Sequence, residues 1–302
     1  MHSFVCVFIG EKMTGQTTGQ NTNNPLQKYF RQPKLHVRLP SGGKYYPPGT
    51  LDLPESGEVA IYPLTAKDEL LLKTPDSLMN GTATADVIKS CVPQIKQPWY
   101  MPSLDVDALI IAIRIATYGE KLTITVKVPN VGNEKDFEID LNTVIAPLMS
   151  ATFADTIKMD NMTITLRPLM YTEITKDSLR SFEEQRVYNL VNDETVSNEE
   201  KMARFREAFN RLTDLTVETV AKSIAKIELM DGQVVSDPKH ILEFMQNTSK
   251  EFYTTILDHI TEQRDKFAVK PFIANTTKEE QEKGAPETFE VPITFDQSNF
   301  FV

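Results

Sequence analysis

The first ordered pattern along the chain is a short alternation. Leu35, Val37 and Leu39 stand against His36 and Arg38, which predicts a strand over residues 34–39 with one buried face. The period then lengthens. Thr65-Ala66-Lys67-Asp68 has the form of a capping box, so a helix should run through Leu70, Leu71 and Leu72 and stop near Thr74-Pro75. A second helix is predicted over residues 84–92. The third, Leu104 to Tyr118, is apolar on nearly every side except at Asp105, Asp107 and Arg114, and Gly119 closes it. Such a helix belongs in the centre of a core. Its two aspartates fall in the first turn, where they favour the positive end of the helix dipole. Arg114 stands among isoleucines and alanines, so its guanidinium requires a carboxylate or carbonyl partner.

Two alternating runs, 122–128 and 136–141, flank a polar turn containing Pro129 and Gly132. This is the layout of a zinc-ribbon hairpin, but Val128 and Val131 occupy the two ligand positions at the corner. Residues 161–166 alternate again and are expected in the same small sheet. From about residue 171 the chain turns helical, over 176–191 and 197–225, with Ser197 and Glu200 as a capping box. Met202, Phe205, Phe209, Leu212 and Leu215 form one apolar stripe that predicts packing against a neighbouring helix. Asp231-Gly232 marks a tight turn between 226–230 and 233–235, and Asp237-Pro238 opens another helix. Residues 287–295 read as a strand that Pro292 confines to an edge or a bulge. Phe295, Phe300 and Phe301 need cover, because aromatic rings at a terminus would otherwise stay in water. The charged stretch 276–286 suits an arm that carries these rings to another protein. The alternative is a tail folded back onto the chain's own 34–170 region.

These elements give an α+β class. A flexible leader (1–27) precedes a small mixed α/β domain (28–170) bearing the degenerate zinc-ribbon-like hairpin. A mainly helical region (171–265) follows, then an extended C-terminal arm with an edge strand (266–302).

Composition narrows the chemistry. The chain has 302 residues, 40% of them hydrophobic and 25% charged, ordinary for a globular protein. Its net charge of -10 argues against nucleic-acid binding. The only cysteines, Cys6 and Cys91, cannot make a four-thiolate zinc site, so no zinc and no other cofactor is expected. No stretch approaches the roughly 20 apolar residues of a membrane span. The start, with Phe4 to Ile9 as its apolar part, lacks a signal peptide's basic region and cleavage site, and Met13 is a second candidate start. Gly42-Gly43 belongs to no phosphate-binding motif, and Pro47-Pro48-Gly49 continues it as turn chemistry. No nucleophile–base signature or metal-binding motif is present. His36, His240 and His259 read as ordinary surface or edge residues.

LPSGGKYYPPG, PLTAKDELLLKTPDSLMNG and AIRIATYGE follow one another in this order and spacing. Together with the hairpin they resemble the T4-type bacteriophage base plate protein family, densely over 28–170 and more loosely to the terminal ITFDQSNFF. The resemblance implies a non-enzymatic component of the baseplate hub of a contractile tail, either a structural subunit or an assembly factor. A tail-associated hydrolase is the reading from another class, and the missing catalytic chemistry weighs against it. Partners would be other hub, spike or tail-tube proteins, with no nucleic acid, membrane or small-molecule substrate. The location would be the virion tail after assembly in the host cytoplasm. Many relatives carry C-P-x-C-G where this chain has Val128-Pro129-Asn130-Val131-Gly132. The corner-shaping Pro129 and Gly132 stay, and two valines replace the thiols.

Overall fold

The computed structural model describes residues 25–74, 81–159, 161–186, 197–295 and 300–301. It divides into two units, residues 1–31 and 32–302. The described part of the first unit is little more than a 3₁₀ turn, Pro25–Tyr29. The leader expected over 1–27 otherwise lies outside the described residues, as does Cys6.

In the second unit β1 (Leu35–Arg38) pairs antiparallel with β2 (Glu58–Ile61), Leu35 opposite Ile61. The capping box ahead of α1 (Ala66–Leu72) is present. Asp68 N donates to the Thr65 hydroxyl at 3.2 Å, and Thr65 N donates to the Asp68 carboxylate at 2.8 Å. After α2 (Thr82–Cys91) comes α3 (Ser103–Tyr118), whose Ile111, Ala112 and Ile113 are wholly buried. Burial on every face makes it the axis of the first core. Gly119 ends it at φ 93°, a backbone that a side chain would strain. The hairpin β3 (Lys121–Lys127) and β4 (Glu134–Asp140) follows, with Leu122 opposite Ile139 and both buried. Asp140, the last strand residue, accepts from Asn142 N and so caps α4 (Leu141–Ser150). This helix escapes the periodicity reading because it starts where the strand stops.

The second core lies around a four-stranded antiparallel sheet of β5 (Thr156–Met159), β6 (Met162–Leu166), β7 (Ile224–Leu229) and β8 (Val234–Val235), in that order. Residues 161–166 therefore do not join the β3–β4 sheet as their proximity in sequence suggested. Ile164 faces Ile227 across the ladder, and both point into a core with Val220, Ile241, Met245 and Ile256. Burial decides the pairing here, not adjacency along the chain. Between β6 and β7 run α5 (Tyr171–Gln185) and α6 (Asn198–Lys222); α7 (Pro238–Asn247) and α8 (Lys250–Lys266) follow β8. The helix predicted over 197–225 stops earlier because Ile224 and Ile227 enter the sheet. The apolar stripe also departs from expectation. Leu215 is buried, but Met202 and Phe209 are 64% and 60% exposed, so no helix among the described residues covers them.

The last segment folds as β9 (Phe272–Asn275), α9 (Lys278–Glu282) and β10 (Thr288–Val291), with β9 and β10 antiparallel. An extended arm was expected here. The structure draws a hairpin with a short helix at its tip, because Ala274 and Val291 are buried in the first core.

Candidate functional site

The hairpin corner keeps its shape without a metal ligand. Val128 N donates to Asn133 O, and Gly132 N donates to Val128 O, both at 2.9 Å. Asn130 and Gly132 take left-handed backbones, φ 65° and 77°, which suit asparagine and glycine. Val128 is buried and Val131 half-buried, so only the first valine is fully enclosed. Among the described residues no cluster of His, Cys, Asp or Glu is placed to hold a metal ion.

What touches the corner is the C-terminal hairpin. Asn130 Nδ2 donates to Gly284 O at 3.0 Å, and Asn133 Nδ2 to Glu280 Oε1 at 3.4 Å. Lys135 Nζ reaches Glu280 Oε2 at 3.2 Å and Asn275 O at 3.5 Å. Phe137 packs on Phe272 and Phe289, with ring centroids 6.1 and 5.9 Å apart. Glu280 is buried and also accepts from Thr277 N at 2.7 Å. That backbone N–H, with Lys135 and Asn133 assisting against the opposing effect of burial, holds the Glu280 carboxyl down to about 2. A signal for this residue was present: Thr277-Lys278-Glu279-Glu280 is itself a capping box. Its partner 145 positions away was not readable.

The three terminal phenylalanines also face inward. Phe300 is wholly buried and Phe301 nearly so, and Phe295 packs against the same first core. Phe300 meets Phe295 and Phe301 edge-on, at 4.8 and 5.0 Å between centroids. Of the two destinations weighed for these rings, the structure shows the chain's own core. The reason is Arg114. Its Nε donates to Phe300 O at 2.6 Å, while its other nitrogens reach Gly119 O at 3.3 Å and Lys121 O at 3.4 Å. The buried cation finds three carbonyls, the closest supplied by the tail, and its Cζ lies 4.6 Å from the centroid of the Tyr118 ring.

Asp105 is more than a dipole partner. It is wholly buried and accepts from Ser41 N at 2.7 Å, Ser41 Oγ at 2.7 Å and the Tyr46 hydroxyl at 2.9 Å. Burial pushes its carboxyl up to about 6 against those three donors. The glycine-rich loop is thus tied to the central helix. Ser41 is itself buried, and its hydroxyl is engaged in this tie. His259 Nε2, for comparison, lies 2.9 Å from Ala154 O.

Asp107 behaves differently. It sits past the first turn, since α3 begins at Ser103. It lines a groove of about 890 Å³ between α3, α5, α6 and α8. Burial alone pushes its carboxyl up to about 6. Asp177 and Arg167 on the groove wall are matched, while Arg264 on its rim is mostly exposed. Lys222 Nζ donates to Asp177 at 2.8 Å, and Arg167 makes a two-pronged contact with Glu173 at 2.8 and 2.7 Å. Phe182, at the groove's α5 edge, is 47% exposed.

Residues 32–290 match the family model described as T4 bacteriophage base plate protein. The chain belongs to that family. No curated protein and no solved structure gives a match. As a base plate protein it is expected to act through contacts with other phage tail proteins. Large apolar side chains stand in water in the helical half at Phe182, Met202 and Phe209 and elsewhere at Leu70, Tyr100 and Ile273, and Asp107 of α3 lines an open groove. Val128, Pro129, Val131 and Gly132 form a corner clasped by the β9–β10 hairpin, whose matched part runs to residue 290.

Proposed function

We propose that this base plate protein is a non-enzymatic structural component of the baseplate hub of a contractile tail, built in through contacts made by its helical half. The family match over 32–290 carries the reading. The exposed rings of Phe182 and Phe209 accord with it, as aromatic surface that a partner's contact would bury. Its partners are other hub, spike or tail-tube proteins, and its place is the virion tail after assembly in the host cytoplasm. Quantitative mass spectrometry of purified virions tests the reading. A stoichiometric amount of the chain in finished tails is the expected result. Its absence from tails, with a requirement for it during tail formation, would replace the structural role by that of an assembly factor.

A further inference from the structure

The groove holding Asp107 has walls of one kind and a charge of another. Its floor includes Leu104, Leu166, Leu215 and Val220, and its far wall Leu257 and Phe267. A volume of about 890 Å³ is within the range of sites that enclose a substantial ligand. Asp107 is half-buried and water reaches its carboxylate through the open groove, so whatever covers the groove and displaces that water must donate to it instead. Among the described residues no hydrogen-bond donor reaches Asp107. The neighbouring Tyr171 hydroxyl is committed, donating to Gly81 O at 3.2 Å. Asp177 and Arg167 are satisfied by Lys222 and Glu173. Arg264, on the rim, is mostly exposed and its recorded ion pair is the weak 3.9 Å contact with Asp265.

An occupant that fits the groove therefore brings a cation for Asp107 and apolar atoms for the walls. A fatty acid or a phosphate would set a like charge against Asp107 and is disfavoured. A polypeptide segment supplies both parts: an ammonium or guanidinium for the carboxylate, and aliphatic or aromatic neighbours for the walls. We propose that the groove between α3, α5, α6 and α8 docks a segment of another baseplate protein carrying a lysine or arginine among apolar side chains, with Asp107 as its counter-charge. This rests on the protein-contact reading above. The half-exposed Phe182 at the groove's edge extends the apolar surface such a segment would cover.

The test uses the full chain and overlapping 15-residue synthetic peptides tiled across the other tail proteins of the same phage and across this chain, read by fluorescence polarisation. Binding should concentrate in tiles from another tail protein with one Lys or Arg flanked by apolar residues. Asp107→Asn should weaken those peptides at least about tenfold, and Asp107→Glu much less. Replacing the peptide's Lys or Arg by Met should weaken wild type by a similar factor and the Asn variant hardly at all. No binding tile, tiles that bind equally to Asp107→Asn, acidic tiles, or tiles from this chain alone would each overturn the proposal. The virion measurement is separate: a chain present in tails whose groove binds no peptide retains its structural role and loses only this docking site.

Discussion

Two carboxylates, Glu280 and Asp107, are both drawn out of water, and their environments push them in opposite directions. Glu280 sits in the clasp between the hairpin corner and the C-terminal segment, with Thr277 N, Lys135 and Asn133 all donating to it. Asp107 sits in the helical groove with no donor among the described residues, and burial alone raises it to about 6. One region has closed on itself and the other is left unfinished. On the function proposed above, the closed region holds the fold and the groove meets the partner.

The largest effect should come from opening the closed region. Phe300→Ala removes a wholly buried ring and shifts the carbonyl that receives Arg114, so it should cost about 3–5 kcal/mol. Thermal denaturation should show a fall in Tm of roughly 5–15 °C. An unchanged Tm would mean the tail is not part of the core. Asp107→Asn comes next and has the opposite sign. A folded value above the ordinary 3.8 means the folded state binds the proton more tightly, so this contribution is complete below pH 3.8 and is lost as pH rises through about 6. Removing the charge should therefore stabilise the isolated protein by roughly 1–3 kcal/mol at pH 7 and by nothing near pH 3.5. Stability measured at the two pH values checks the sign.

Glu280→Gln should destabilise, by less than the loss of Phe300. Here the folded value of about 2 lies below the ordinary 4.5, so the ionic part of the clasp is complete above pH 4.5 and is lost as pH falls toward 2. The gap in Tm between wild type and variant should be widest at neutral pH and close in acid. A gap independent of pH would point to a packing role for the side chain. Phe209→Ser has the smallest expected effect on stability, within about 0.5 kcal/mol, because the ring is already in water.

The same contrast explains what was legible in the sequence. The Thr65 capping box, the Gly119 stop, the Asp231-Gly232 turn and the Asp237-Pro238 start are written within a few residues, and each appears where it was read. Arg114's need for carbonyl or carboxylate partners was readable from its apolar neighbours. Its main partner was not, because Phe300 lies 186 positions away. Ser41 reaches Asp105 across 64 positions and Lys135 reaches Glu280 across 145, and no local period encodes either pairing. The apolar stripe of α6 misled for a physical reason: a stripe reports that a surface will be covered, not by which chain. Met202 and Phe209 carry the pattern of a packed helix but stay exposed among the described residues.

The central claim of the proposed function is that the exposed rings of the helical half make contacts with partner proteins. It is tested most directly by the number of copies of the chain in isolated baseplates when wild type is replaced by a Phe182→Ser/Phe209→Ser variant shown beforehand to keep its Tm. Quantitative mass spectrometry should find the variant reduced several-fold or absent, while its fold is intact. Incorporation at the wild-type level would contradict the account.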